Sequence, residues 1–238
     1  PPPPRARRGA PQTPHATARD RTAAAAPYAR AITRAVSAVA THTTTQHPLT
    51  SERTDTNRVA VLVVASDRGM AGAYSASIIR ETERLVERLT AEGKEVALYA
   101  AGRRAIQYYT FRGRELAGTW SYGSDAPNAE VAGEIAETLL GAFLAPAAEG
   151  GVSELHIVYT QFVNMVTQRP RVVRMLPLEV VEGVAPAGKH DVLPLYDFEP
   201  SPEAVLDALL PRYVRSRIFR CLLAAAASAL AARPRAMQ

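Results

Sequence analysis

Residues Val59–Arg80 read VAVLVVASDRGMAGAYSASIIR, and the reading of this stretch decides the fold. Val59–Ala65 is an unbroken apolar run, as expected of a central parallel strand buried on both faces. It stops in the polar turn Ser66-Asp67-Arg68-Gly69, and small residues then lead into an amphipathic helix. A strand feeding a glycine turn and a helix is the entry of an open α/β domain, where ligands gather beyond the carboxyl ends of the strands. A nucleotide site nevertheless fails on residues. Only Gly69 and Gly72 are present, so there is no G-x-G-x-x-G, and no Lys-Ser/Thr follows to hold a phosphate and a metal.

Outward from this stretch, helical and strand periods alternate. The helix after the turn is expected over Tyr74–Glu92, with Ile78, Ile79, Leu85, Val86 and Leu89 on its buried side and Gly93 as its stop. Strands are expected at Glu95–Ala100, Glu115–Trp120, Glu154–Phe162, Arg171–Glu179 and Val192–Phe198. The Arg171–Glu179 strand should lie near an edge, because Pro177 cannot donate to a ladder. Helices are expected at Gly102–Tyr109 and Asn128–Leu144. The fold class is therefore α/β: a Rossmann-like, mainly parallel open sheet with an antiparallel addition after Phe162.

The flanks differ from this body. Residues 1–22 are rich in Pro, Arg and Thr without large apolar side chains, and are expected to be disordered. A helix is expected from Ala23 to His42, with Pro27 in its first turn and Ile32, Val36 and Val39 as a narrow stripe. Thr41–Asn57 reads as a connecting loop. The body is expected over residues 58–200 and a C-terminal helical region over 203–238, broken at Pro211 and restarting at Arg212. There Val214, Ile218, Leu222, Ala225 and Ala229 recur at steps of three and four, the spacing of a coiled-coil seam whose alanines let a partner helix approach closely. The two flanking helices should pair as an antiparallel coiled coil.

Charge follows the same division. Residues 1–34 carry seven Arg against Asp20, the middle of the chain is acidic, and residues 203–238 carry six Arg against Glu203 and Asp207. Basic ends on an acidic body suggest that the ends meet each other or an acidic partner. Nucleic acid is disfavoured, since the basic ends lack interleaved aromatics and no nucleic-acid module is visible. Cys221 is the single cysteine, which excludes a disulfide framework. No window reaches the roughly 20 apolar residues of a membrane span.

Asp67-Arg68 is the charged pair at the carboxyl end of the central strand. As a catalytic acid and its orienting arginine it needs a second group, and none can be assigned from sequence. The other readings are a turn in which Asp67 caps the following backbone amides and Arg68 pairs with a neighbour, or a partner contact. His15, His42, His47, His156 and His190 show no ligand spacing; His42 and His47 read as solvated loop residues and His156 as a sheet residue. No serine sits in a G-x-S-x-G elbow. Tyr108, Tyr109 and Phe111 read as sheet-facing core. No catalytic residue, cofactor or metal site is expected.

Several ordered segments resemble the gamma subunit of F-type ATP synthases, over about Ala23 to Met237. They are the Ser66–Gly69 turn followed by Met70, Ala71, Gly72 and Ala73; Gly102-Arg103-Arg104 ahead of aromatics and Arg112-Gly113; Phe162 to Gln168; Glu199 to Glu203; Leu206 to Val214; and Leu222 to Met237. The last segment departs from the family pattern at Ala224, Ala225 and Ala229, and at Pro234. The resemblance implies a central rotor shaft of a proton-translocating ATP synthase that couples rotation to ATP synthesis on its partners. Those partners would be the alpha, beta and epsilon subunits and the membrane c-ring. It implies peripheral placement on the cytoplasmic side of a bacterial cell membrane, without direct insertion. It also implies that Ser66, Asp67, Arg68, Gly69, Met70 and Ala71 form a turn facing a beta subunit. Two alternatives stand beside it: a truncated, non-rotary scaffold of the same family, since the family's terminal helix segments have no counterpart here, and a small-molecule α/β enzyme using Asp67.

Overall fold

The computed structural model describes residues 14–42, 47–69, 71, 73–164, 166–179, 199 and 201–236. At its centre lies β1 (Arg58–Val64), flanked by β2 (Glu95–Ala101) and β4 (Glu154–Phe162), both parallel to it. β3 (Gly118–Trp120) extends the sheet beyond β2, and β5 (Gln168–Leu176) closes the other edge antiparallel to β4, giving the order β3-β2-β1-β4-β5. Val59 to Val64 are fully buried, as a strand covered on both faces requires. Their alternation divides the core. Val59, Val61 and Val63 pack with helices α2 (Tyr74–Ala91) and α3 (Arg103–Phe111). Ala60, Leu62 and Val64 pack with α4 (Ala129–Leu144) and α5 (Pro202–Ala236) on the opposite side.

Local chemistry fixes the element ends. The Asn128 side chain accepts a hydrogen bond from the Val131 amide (2.9 Å) and caps α4. At the other end of α4 the Arg53 guanidinium donates to the carbonyls of Phe143, Ala145 and Val152, and is itself held by Asp55. One side chain thereby satisfies carbonyls that the helix leaves unpaired.

Both flanking helices are longer than their proline content suggests. α1 spans Pro14–His42, so residues 14–22, expected to be disordered, are helical and Pro27 lies in the interior rather than in the first turn. Pro14 occupies the first turn, where its missing N–H costs nothing, and the alanine-rich stretch that follows has high helix propensity. α5 likewise continues through Pro211 and Pro234. An interior proline costs about 3 kcal/mol in an isolated helix. Here Pro211 faces solvent, while Leu206, Leu210, Val214 and Ile218 form a buried i, i+4 stripe running straight past it. Burial of that stripe outweighs the proline.

α1 packs extensively along α5. The two run antiparallel: Thr22, Ala23 and Ala26 line the same cavity as Arg220, Ala224 and Ala227, whereas His47, just beyond α1, bonds Asp207 near the start of α5 at 2.9 Å. Val192–Phe198, expected as a strand, lies outside the described residues. The strand expected at Arg171–Glu179 begins earlier, at Gln168, and carries Pro170 on the free edge of the sheet.

Candidate partner-contact site at the carboxyl end of the sheet

β1 leads directly into the polar turn. The Ala65 amide donates to the Ala101 carbonyl (2.8 Å), and the Ala65 carbonyl accepts from the buried Tyr122 hydroxyl (2.8 Å). Gly102 has φ +100, and a Cβ there would lie 2.3 Å from the Ala65 oxygen, so only glycine lets β2 turn into α3 this close to β1.

Asp67 is saturated. Its carboxylate accepts from the Arg103 amide (3.0 Å), the Ser121 hydroxyl (3.1 Å) and the Ser124 amide (2.8 Å), and its own amide donates to the Ser124 hydroxyl (2.9 Å). Because Arg103 opens α3, Asp67 caps that helix from across the sheet, where the glycine before it has no side chain to do so. Ser66 is fully buried, donates to the Arg68 carbonyl (2.8 Å), and lies 3.1 Å from the Ser75 hydroxyl. Gly69 lies beneath the Arg104 guanidinium, where a Cβ would approach to 2.0 Å.

What the turn offers outward is Arg68, whose side chain is 71% exposed and pairs with Asp125 at 3.0 Å. Ala71, by contrast, is buried in a small cluster with Tyr74, Ala229 and Ala232, and the Tyr74 hydroxyl donates to the Ala225 carbonyl (3.0 Å). Burial holds the Tyr74 phenol well above its ordinary pKa, so it acts as a neutral donor. Met70 lies outside the described residues. The described turn residues thus divide into an inward set that builds the turn and one exposed cation.

The expected seam residues are brought together only in part. Ile32 and Val39 of α1 are buried and Val36 partly so. Val214, Ile218, Leu222 and Ala225 share one apolar cluster with Val39 and with the sheet residues Leu62, Leu155 and Ile157. Ala229 belongs to the cluster at the turn. Ser228 adds a polar tie to the sheet, donating to the Thr160 carbonyl (3.1 Å).

Two sequence expectations change. His42, expected both as the last residue of the N-terminal helix and as a loop histidine, ends α1, and His47 is largely buried, joined to Asp207 and accepting from the Leu49 amide (3.0 Å), because the loop folds back over the start of α5. Of the three aromatics read as core, Tyr109 alone is fully buried. Phe111 is 92% exposed at the end of α3, and Tyr108 lies under the Arg112 guanidinium. The nine-residue α3 is short and turns only one face to the sheet.

Sequence reasoning also missed residues of the site. Ser121, Ser124 and Asp125 carry no motif. The available signal was their place between a sheet strand and a capped helix, at the end where polar groups meet the turn. Cys221 is buried in α5, and burial pushes its thiol up to about 12, leaving it inert near neutrality. Among the described residues there is no cluster of three metal-ligating side chains and no helix long and apolar enough to cross a membrane.

A mainly parallel α/β body with two antiparallel terminal helices packed against it, and a turn presenting a cation at the sheet's carboxyl end, is an architecture that known proteins share. A family model described as ATP synthase matches residues 13–238. The ATP synthase gamma chain of Beutenbergia cavernae is 68% identical over 220 residues, covering 92% of this chain and 74% of that one. The gamma chain of Kineococcus radiotolerans is 57% identical over 215 residues, covering 90% and 71%. Among solved structures, the central stalk and c-ring of the Tetrahymena thermophila mitochondrial ATP synthase shares the fold at TM-score 0.56 and 16% identity, over 94% of this chain and 96% of that one. The rotor of the Euglena gracilis enzyme does so at TM-score 0.52 and 12% identity, over 93% and 88%. The chain belongs to the ATP synthase gamma chain family.

Proposed function

We propose that the chain works as the central-stalk rotor subunit of a bacterial ATP synthase, transmitting the rotation driven by proton flow to catalytic sites that lie on other subunits. The observation that carries this reading is the joining of α5 to both α1 and the sheet, which makes shaft and body one stiff piece. A rotor transmits torque through shape and side-chain contact, so it needs stiffness rather than reactive groups. The chain itself performs no ATP chemistry in this reading. Asp67, the one residue with a claim to acid catalysis, has its carboxylate filled by three donors.

The alpha, beta and epsilon subunits and the membrane c-ring are its partners. The turn Ser66–Ala71 faces a beta subunit and meets it through Arg68, while Ile32, Val36 and Val39 pair with the α5 stripe Val214, Ile218, Leu222 and Ala225 as the shaft's seam, Ala229 packing on the turn instead. The subunit is held peripherally at the cytoplasmic side of the cell membrane through those partners. The test is assembly: the chain, co-expressed with alpha, beta and epsilon subunits of its source, should co-purify with them. When joined to the membrane sector it should support ATP-driven proton pumping. A complex that assembles but hydrolyses ATP without pumping would favour a non-rotary scaffold. A chain that binds a small molecule in an Asp67-dependent way and enters no complex would favour an enzyme.

A further inference from the structure

The turn after β1 and the final turns of α5 are far apart in sequence, yet one loop holds both. Ser124 and Asp67 exchange two hydrogen bonds, amide to carboxylate (2.8 Å) and amide to hydroxyl (2.9 Å), and Ser121 adds a third (3.1 Å). The next residue, Asp125, has one carboxylate oxygen 3.0 Å from Arg68 Nε and the other 2.6 Å from Arg233 Nη2. Arg68 is the exposed cation of the turn, whereas the Arg233 side chain is only 18% exposed. The single carboxylate therefore stands between an outward-facing guanidinium and a largely buried one carried by α5, the latter held by charge without hydrogen-bond geometry. Just inside this bridge, Ala71 and Tyr74 pack on Ala229 and Ala232.

We propose that the loop Ser121–Asp125 is the strap that carries load between the exposed turn and the shaft helix, with Asp125 as its positioning residue. Pulling on Arg68 from outside draws on Asp125, and through Asp125 on Arg233. The Asp67–Ser124 bonds stop the loop from yielding instead. Replacing the carboxylate by an amide keeps the shape but leaves two guanidinium groups without their shared counter-charge, so turn and helix lose their common anchor. The coupling role, though not the geometry, rests on the rotor reading given above.

Two experiments test it. In the full-length chain, hydrogen exchange in D125N should speed up about three- to tenfold at 229–236 and about twofold at 66–71, where the exposed Arg68 pair is weak, because one anchor serves both segments. Loosening of one segment alone, or of neither, overturns the strap. In the assembled ATP synthase, D125N should lower protons pumped per ATP hydrolysed by about threefold, R233Q by about as much, and the double variant no further, as expected of residues acting as one unit. D125E, which restores the charge, should recover most of the coupling. Additive losses, or full coupling in D125N, contradict the proposal. If the unaltered chain supports no pumping at all, it is the rotor reading that fails, and the exchange result still decides the strap.

Discussion

The two terminal helices lie side by side but are held very differently. In α5, residues 221–223 and 225–232 are all buried, with polar ties from Ser228 to β4 and from Tyr74 to the helix backbone. Among the described side chains of α1, only Ala29, Ile32 and Val39 are buried, and Tyr28 is 59% exposed. α5 is thus a layer of the body that extends outward, whereas α1 is a brace laid against it. A shaft made this way concentrates its stiffness in one helix. The alanines of α5 make this possible, since small side chains let a helix approach a sheet and a second helix together.

This contrast can be broken by substitution. Leu222→Ala, which empties a fully buried site between α5 and the sheet, should destabilise the chain by about 2–5 kcal/mol in urea unfolding. Ile32→Ala on α1 should cost only about 1–2 kcal/mol, because Ile32 lies outside the buried cluster that joins α5 to the sheet. Equal losses would contradict the distinction between layer and brace.

Gly102→Ala probes the junction that sets α3 and the turn in place. It should cost about 3 kcal/mol in the same measurement, from the positive φ together with a clash against a backbone oxygen that cannot move aside.

A smaller effect comes from the base of β4. There Glu154 lies 2.8 Å from both Lys94 and His156. Burial lowers the His156 pKa, and its hydrogen bond to Glu154 only partly opposes this. A depressed folded-state pKa means that the unfolded chain takes up the proton first. Stability from this site is therefore present above the unfolded value of about 6.5 and falls as pH drops below it. Unfolding measured from pH 7.5 down to 5.5 should show that slope, and His156→Gln should flatten it. An unchanged slope would place the titration elsewhere.

The smallest effect on stability belongs to Arg68→Gln, within about 0.5 kcal/mol, because a pair with so exposed a side chain is well screened. Its consequence should appear in partner binding instead.

The body was legible from sequence because its signals are local. The two-sided apolar run of β1 and the stripe of α2 each name their own structure. The flanks were harder to read. Pro27 and Pro211 look like boundaries to any local rule, and the contacts that override them come from elements far along the chain. The turn was legible in position, but Asp67 caps the amides of Arg103 and Ser124 rather than those that follow it. Its donors sit 36 to 57 residues away, and Asp125 acquires meaning only once Arg68 and Arg233 are beside it. The seam was half legible: period identified the buried stripe of α5, but period cannot say which neighbour covers it.

The central claim is that body and shaft turn as one piece. It is tested most directly by watching the body move in an assembled, immobilised complex of alpha, beta and gamma chains. A bead attached through Glu87→Cys, on the exposed side of α2, should rotate in one direction and in steps when ATP is added. ATP hydrolysis by the same complexes with the bead fluctuating in place would contradict the account.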